Sequence, residues 1–224
     1  CFREEGENSS ESVWELQCTA TVAQPATNDL GSQFCQVQGC RGSGTSNLGW
    51  GWHMADQSIV DVFEEGDPRR DETLLYFSTP SKPWPVATGN APFNEFLVSQ
   101  DGLDGDYYNK KAYCSPKLRE YYGSNDGFWY NIRMIRYSDV VLMAAEAACE
   151  MGGEAMIEEA LDYLEQVRAR ARGTNTNVLP KVTTTNQLEL CKAIHHERHV
   201  ELALEFDRFY DLVRWQEFSI AGAG

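Results

Sequence analysis

The chain has 224 residues with 19 Lys+Arg against 34 Asp+Glu, a formal charge of −15 at pH 7, so it has no excess of base to neutralise the phosphates of nucleic acid or anionic lipid. Hydrophobic residues at 42% and aromatics at 12% are too many for a disordered chain. The length suits one large or two small domains, and no apolar run reaches the roughly 18 residues of a membrane-spanning helix.

Two regions read differently. Residues 1–130 are rich in Gly, Pro, Asn, Ser and Trp, and residues 131–218 are dense in helix formers; the break falls at Gly123-Ser-Asn-Asp-Gly127. Residues 1–15 are polar and acidic and carry no signal-peptide pattern. Alternation over Ser12–Cys18 predicts a strand, and a short helix fits Asp56–Glu64. Asp67-Pro68 opens a turn, and Thr73–Ser78 reads as a second strand. Pro80 to Asp106 reads as one long aromatic-bearing loop, a length that in a compact domain is usually functional or disordered.

In the second region a helix fits Tyr137–Met151, stopped by Gly152-Gly153. Another fits Glu154–Arg172, with Ile157, Leu161, Leu164, Val167 and Ala171 at steps of three and four. So short a turn predicts an antiparallel hairpin of tetratricopeptide type. A further helix starts near Asn186, where Asn186-x-x-Glu189 is a capping box. It runs to about Glu205 and bends into a short helix around Phe209–Trp215.

The chemistry-bearing patterns are few. Seven cysteines form no zinc pattern. Cys149 and Cys191 fall in helical segments and read as small apolar core residues. Cys35 and Cys40 pack in a loop or, in an oxidising compartment, bridge. His195-His196-Glu197-Arg198-His199 fails the register of a zinc-protease helix, and His195 with His199 supply only two ligands, so an ordinary helix face is expected. Asp101-Gly-Leu-Asp104-Gly-Asp106 is oxygen-rich but lacks the EF-hand spacing, so a solvated acidic turn outweighs a calcium site. In the run from Glu197 to Trp215, Glu201, Glu205, Arg208 and Arg214 are spaced for ion pairs tying the penultimate helix to the last. No nucleophile elbow, phosphate loop or dinucleotide fingerprint is present. No catalytic residue, metal or cofactor is assigned.

The first region instead offers loop aromatics, whose rings stack on sugar C–H faces while their polar edges bond hydroxyls. Trp50, Trp52, Trp84 and Tyr76 are the candidate ligand-binding residues; the competing expectation is that such rings plug a loop-covered core. Trp50 and Trp52 lie in Asn47-Leu-Gly-Trp-Gly-Trp-His53 and share a face only if that segment is extended. Trp84 stands between Pro83 and Pro85, which stiffen a loop tip.

Five blocks in order resemble the SusD/RagB family of Bacteroidetes outer-membrane lipoproteins. They are Glu7-Asn-Ser-Ser-Glu11-Ser-Val-Trp14-Glu-Leu-Gln17, Gln57-Ser-Ile-Val-Asp61-Val-Phe63-Glu64 with Asp67-Pro-Arg-Arg70, Ile135-Arg136-Tyr137-Ser-Asp139-Val-Val-Leu142-Met-Ala-Ala-Glu146-Ala, Leu164-x-x-Val167-Arg168-Ala-Arg170-Ala, and Glu197-Arg-x-x-Glu201-Leu-x-x-Glu205-x-x-Arg208-x-x-Asp211-Leu-x-Arg214-Trp215. The resemblance implies a mainly α, SusD-like fold in which tetratricopeptide-like helical hairpins pack against an irregular, loop-rich, ligand-facing region with a few short strands, here residues 1–130 beside helical residues 131–224. It implies no catalysis, capture of a glycan at the cell surface and delivery to a SusC-like TonB-dependent transporter. A peptide-binding member, or a protein-interaction scaffold, is the alternative. It also implies that the chain is an interior-to-C-terminal fragment, partnered by a remaining N-terminal part of the same protein and lipid-anchored to the extracellular face of the outer membrane through a part outside this chain. Cys1 is not expected to be the lipidated residue. No individual aromatic residue carries over from the family.

Overall fold

The computed structural model describes residues 1–23, 31–42, 46–76, 90–95 and 107–216. Among these the elements run β1 (Ser12–Leu16), α1 (Phe34–Gln38), β2 (Met54–Ala55), α2 (Gln57–Asp61), α3 (Pro68–Thr73), β3 (Leu74–Tyr76), β4 (Tyr107–Asn109), α4 (Pro116–Tyr122), β5 (Ile132–Arg136), α5 (Tyr137–Met151), α6 (Glu154–Arg172), α7 (Gln187–Glu201) and α8 (Arg208–Arg214). The fold is mainly α with short strands. Two compact units form, one of Cys1–Asp61 with Arg70–Val140, the other of Val62–Arg69 with Val141–Gly224.

In the first unit β1 pairs antiparallel with β5, and β2, β4 and β3 form a three-stranded antiparallel sheet with β4 at its centre. β1 forms as expected, but its burial does not alternate, since Val13 and Leu16 are both exposed. Glu15 is buried while Trp14 is exposed. Glu15 accepts from Asn131 Nδ2 at 2.9 Å and from Ser12 Oγ, so the hydrogen bonds needed by a buried carboxylate are met. The turn expected at Asp67-Pro68 is the start of α3. Asp67 Oδ1 accepts from the Arg69 backbone N–H at 2.9 Å, and Pro68 takes the first helical position, where its missing N–H costs nothing.

In the second unit the helical run breaks at Gly152-Gly153, both at positive φ, and α5 and α6 share one core. Leu142, Ala145 and Cys149 pack with Ile157, Ala160 and Leu164 from α6 and with Leu190 and Ile194 from α7. Asn186 caps α7, its Oδ1 accepting from Glu189 N at 3.1 Å. The reciprocal arm of the capping box is not made, because the Glu189 carboxylate takes Thr184 Oγ1 at 2.7 Å instead.

Cys149 and Cys191 are not merely apolar core residues: they form a disulfide with Cα atoms 6.0 Å apart. Each helix's periodicity places its cysteine on an apolar face, but only packing sets the end of α5 opposite the start of α7. Such a bond persists in an oxidising compartment. The bridge spans a sequence separation of 42, so replacing both cysteines by alanine is expected to cost about 2–4 kcal/mol. A denaturant midpoint shift measures this; an unmoved midpoint would show that the bridge does not form in solution. Cys35 and Cys40 are separate buried thiols, Cys35 packing with Cys114 and Trp129, Cys40 with Leu48 and Tyr108.

The charged run forms an ion-pair lattice, with a wiring other than the spacing suggested. Glu197 Oε2 takes Arg168 Nη1 at 2.9 Å, and its Oε1 takes Arg69. Glu201 pairs with Arg69 and Arg170, so it ties α7 to α3 and α6. The α7–α8 tie is Arg198 Nε to Asp211 Oδ2 at 3.0 Å. Arg214 binds Asp211 and Glu146, and Arg208 lies over the Trp215 ring at 5.9 Å. The expected pairing of the penultimate and last helices through Glu201 and Arg208 is thus corrected. Helical spacing gives the face of each charge but not which neighbouring helix supplies its partner.

Two histidines of α7 lie beside this lattice, His195 Nε2 3.7 Å from Glu146 and His196 Nε2 3.9 Å from Glu64. The His195 ring stacks on Trp215 at 3.6 Å, and no group of three or more His, Cys, Asp or Glu able to hold a metal occurs among the described residues. Burial, reinforced by the Arg208 and His196 charges, pushes His199 down to about 4. Its unfolded value is near 6.5, so between those limits the unfolded chain binds more protons and stability falls as pH drops through the window. Thermal melts from pH 7 to 4 should show that decline, and His199→Gln should flatten it. An equally steep decline in the variant would rule His199 out as the source.

Candidate functional site

The site begins at the C-terminal end of α1, whose last carbonyls have no partners within the helix. The segment after it supplies them. Trp50 N donates to Gln36 O at 2.7 Å, Trp52 N to Val37 O at 3.0 Å, and Gly51 N to Gly39 O at 3.0 Å. This close docking explains two glycines. A Cβ on Gly49 would collide with the Gln36 carbonyl, and Gly51 adopts φ +67°, a conformation that side-chain-bearing residues rarely take.

Gly51 also decides how the rings meet. The expectation that Trp50 and Trp52 share a face only in an extended segment does not hold. The left-handed turn at Gly51 brings their centroids to 4.6 Å at an interplanar angle of 42°. Trp52 is 70% exposed and Trp50 is half-buried, so one ring faces outward and the other braces it. The next residue is anchored below. Burial lowers the pKa of His53, and its Nδ1 is hydrogen-bonded with Gln38 Oε1 at 2.9 Å. Gln38 is itself held by Asn109 Nδ2 at 2.7 Å.

Arg41, Asn47, Gly49, Trp50, Trp52 and Asp126 line a cleft of about 360 Å³. Asp126 is fixed by Ser124, whose Oγ donates to Asp126 Oδ2 at 3.2 Å, and Asn47 O accepts from Asn125 Nδ2 at 3.1 Å. The cleft thus holds two aromatic faces, a carboxylate and a guanidinium, the groups that stack on a sugar ring and bond its hydroxyls. A cleft of about 420 Å³ beside α4 is larger, but its Arg119 is committed to Glu95. One of about 380 Å³ between α5 and α8 is floored by the Glu146–Arg214 pair. Neither offers an aromatic pair, so volume does not rank them.

Of the four candidates read from the sequence, Trp50 and Trp52 come together. Tyr76 does not line their cleft: it is 6% exposed in β3, opposite Tyr107 of β4. Trp84 lies outside the described residues, as do Phe77 and Asp101–Asp106. Sequence reading missed Arg41 and Asp126. No local signal marks either, since Asp126 reaches the cleft from the loop before the aromatic trio at 128–130.

The sequence profile of the SusD family matches residues 10–221. The chain belongs to the SusD family. SusD-like protein P2 of Formosa agariphila is 30% identical over 205 residues, 86% of this chain and 37% of that protein. Among solved structures of this fold, surface glycan-binding protein A from Bacteroides uniformis is 26% identical with a TM-score of 0.61, covering 100% of this chain and 41% of that one. Surface glycan-binding protein A from Bacteroides thetaiotaomicron, solved in complex with laminarihexaose, is similar at a TM-score of 0.63 and 20% identity, over 96% of this chain and 45% of that one. The chain therefore spans less than half the length of these SusD-family relatives. No helix among the described residues is long and apolar enough to cross a membrane.

Proposed function

We propose that this chain contributes a glycan-binding surface to a non-catalytic SusD-like protein of the outer membrane, facing outward and serving a SusC-like TonB-dependent transporter. The single observation that carries the binding reading is the exposed Trp50–Trp52 pair at the mouth of a cleft that also holds Arg41 and Asp126. Stacking aromatics with hydrogen-bonding side chains beside them suit a sugar ring, whose two faces are apolar and whose rim is polar. Capture and hand-over need no acid–base pair or nucleophile, and Glu197, Glu201 and Asp211 of the helical unit are already committed to arginines. The test is a titration of the chain with oligosaccharides, laminarihexaose among them, followed by tryptophan fluorescence and calorimetry. Saturable binding of an oligosaccharide, with no response to a mixed pool of extended peptides, is the expected result; a peptide response without a sugar response would replace this reading with peptide capture. Transporter partnership is tested by co-purification of the whole protein with the transporter.

A further inference from the structure

We infer that Arg41 makes the Trp50–Trp52 cleft selective for glycans bearing an anionic group on the sugar, a uronate carboxylate or a sulfate ester. This rests on the glycan-binding reading and adds the substrate class to it.

The argument starts from how arginines are used in this unit. Arg70 pairs with Asp71, Arg119 with Glu95, Arg133 with Glu15 and Arg136 with Glu11, and Arg3 donates to the carbonyl of Lys110. Arg41 makes no hydrogen bond or ion pair among the described residues. Among the described arginines of this unit Arg41 is the exception in having neither, although acids outnumber bases 34 to 19, and it sits on the aromatic cleft.

Its stem is placed from below. A Cβ built on Gly51 would lie 3.0 Å from Arg41 Cβ, so the Arg41 stem rests on the backbone between the two tryptophans. A ring stacked on Trp52 therefore has the exposed Arg41 side chain within the same cleft. Asp126 lines the same cleft without pairing with Arg41, so the cleft has a positive and a negative pole. The guanidinium fork matches the two oxygens of a carboxylate or sulfate, and Asp126 accepts from hydroxyls at the other end. An acidic sugar is then held in one orientation, whereas a neutral one gains only ordinary hydrogen bonds from Arg41. The formal charge of −15 repels an anionic polymer at long range, so this selectivity acts on contact.

The experiment compares three oligosaccharides of equal length: a neutral laminari-oligosaccharide, an oligogalacturonate and a sulfated neutral oligomer. Each is titrated calorimetrically into the parent chain and into Arg41→Gln and Trp52→Ala, at low and high ionic strength. The parent should bind at least one anionic oligomer about tenfold more tightly than the neutral one, with the advantage shrinking in salt. Arg41→Gln should bring that ratio close to one, the loss falling mainly on the anionic oligomers, with the melting temperature unchanged. Trp52→Ala should weaken every ligand. The carboxylate and sulfate arms identify which oxyanion is preferred. Equal parent affinity for neutral and anionic oligomers, or a ratio that survives Arg41→Gln, overturns the inference and leaves the glycan reading standing. If the folded chain binds none of the three, both fall.

Discussion

Replacing Glu197 by alanine is expected to cost about 3–5 kcal/mol of stability, the range for removing one partner from a buried ion pair. Glu197 is 0% exposed. One oxygen faces Arg168, which also donates to Glu64 and to the Pro180 carbonyl, and the other faces Arg69, which also donates to Asp67. Burial disfavours the Arg69 cation, but the Asp67 hydrogen bonds and the Glu197 and Glu201 charges hold its pKa above the usual arginine value. With the carboxylate gone, two nearly buried guanidinium groups lose the anion between them and keep only Glu64, Asp67 and Glu201 around them, so the lost buried charge pairing is the source of the loss. Chemical denaturation measures it. The exposed Lys181–Asp162 pair at 4.0 Å is the internal control, since Asp162→Ala should change stability by less than about 1 kcal/mol. If both variants shift the midpoint equally, the lattice is not a buried network in solution.

Alanine at Trp52 should act in the opposite way. The ring is 70% exposed and its backbone hydrogen bond to α1 survives the substitution, so the melting temperature should hardly move. Glycan affinity should fall about tenfold or more, because a stacked ring contributes roughly 1–3 kcal/mol. Trp50→Ala should lower both affinity and stability, since Trp50 is half-buried and braces its neighbour. The comparison is calorimetric titration beside thermal melts for the two variants. A folded Trp52→Ala that binds like the parent would move the platform away from this cleft.

Local patterns in the sequence were enough for the helical unit. A period of three to four residues with Gly152-Gly153 and Gly173 as stops marks α5 and α6, and Asn186 marks the start of α7. These signals act within a few residues of chain, so tertiary context is not needed to read them. The loop-rich unit was far less legible. The five-residue α1 and the two-residue β2 are too short for a periodicity to develop, and β4 at Tyr107–Asn109 is identifiable only through its partners on either side. Trp50 and Trp52 stood out by residue type and by the glycines around them. Tyr76, chosen on residue type alone, is buried by its neighbours in the sheet.

The sequence by itself determined the family, the helical hairpin, the acidic surface and the aromatic pair, because each is written in local residue order or in composition. Tertiary structure alone decided that Cys149 meets Cys191, that Glu201 answers Arg69 and Arg170, and that Arg41 and Asp126 join the tryptophans. Those contacts join residues distant in the chain, and residue spacing fixes only which face a side chain occupies, never what the fold brings against that face.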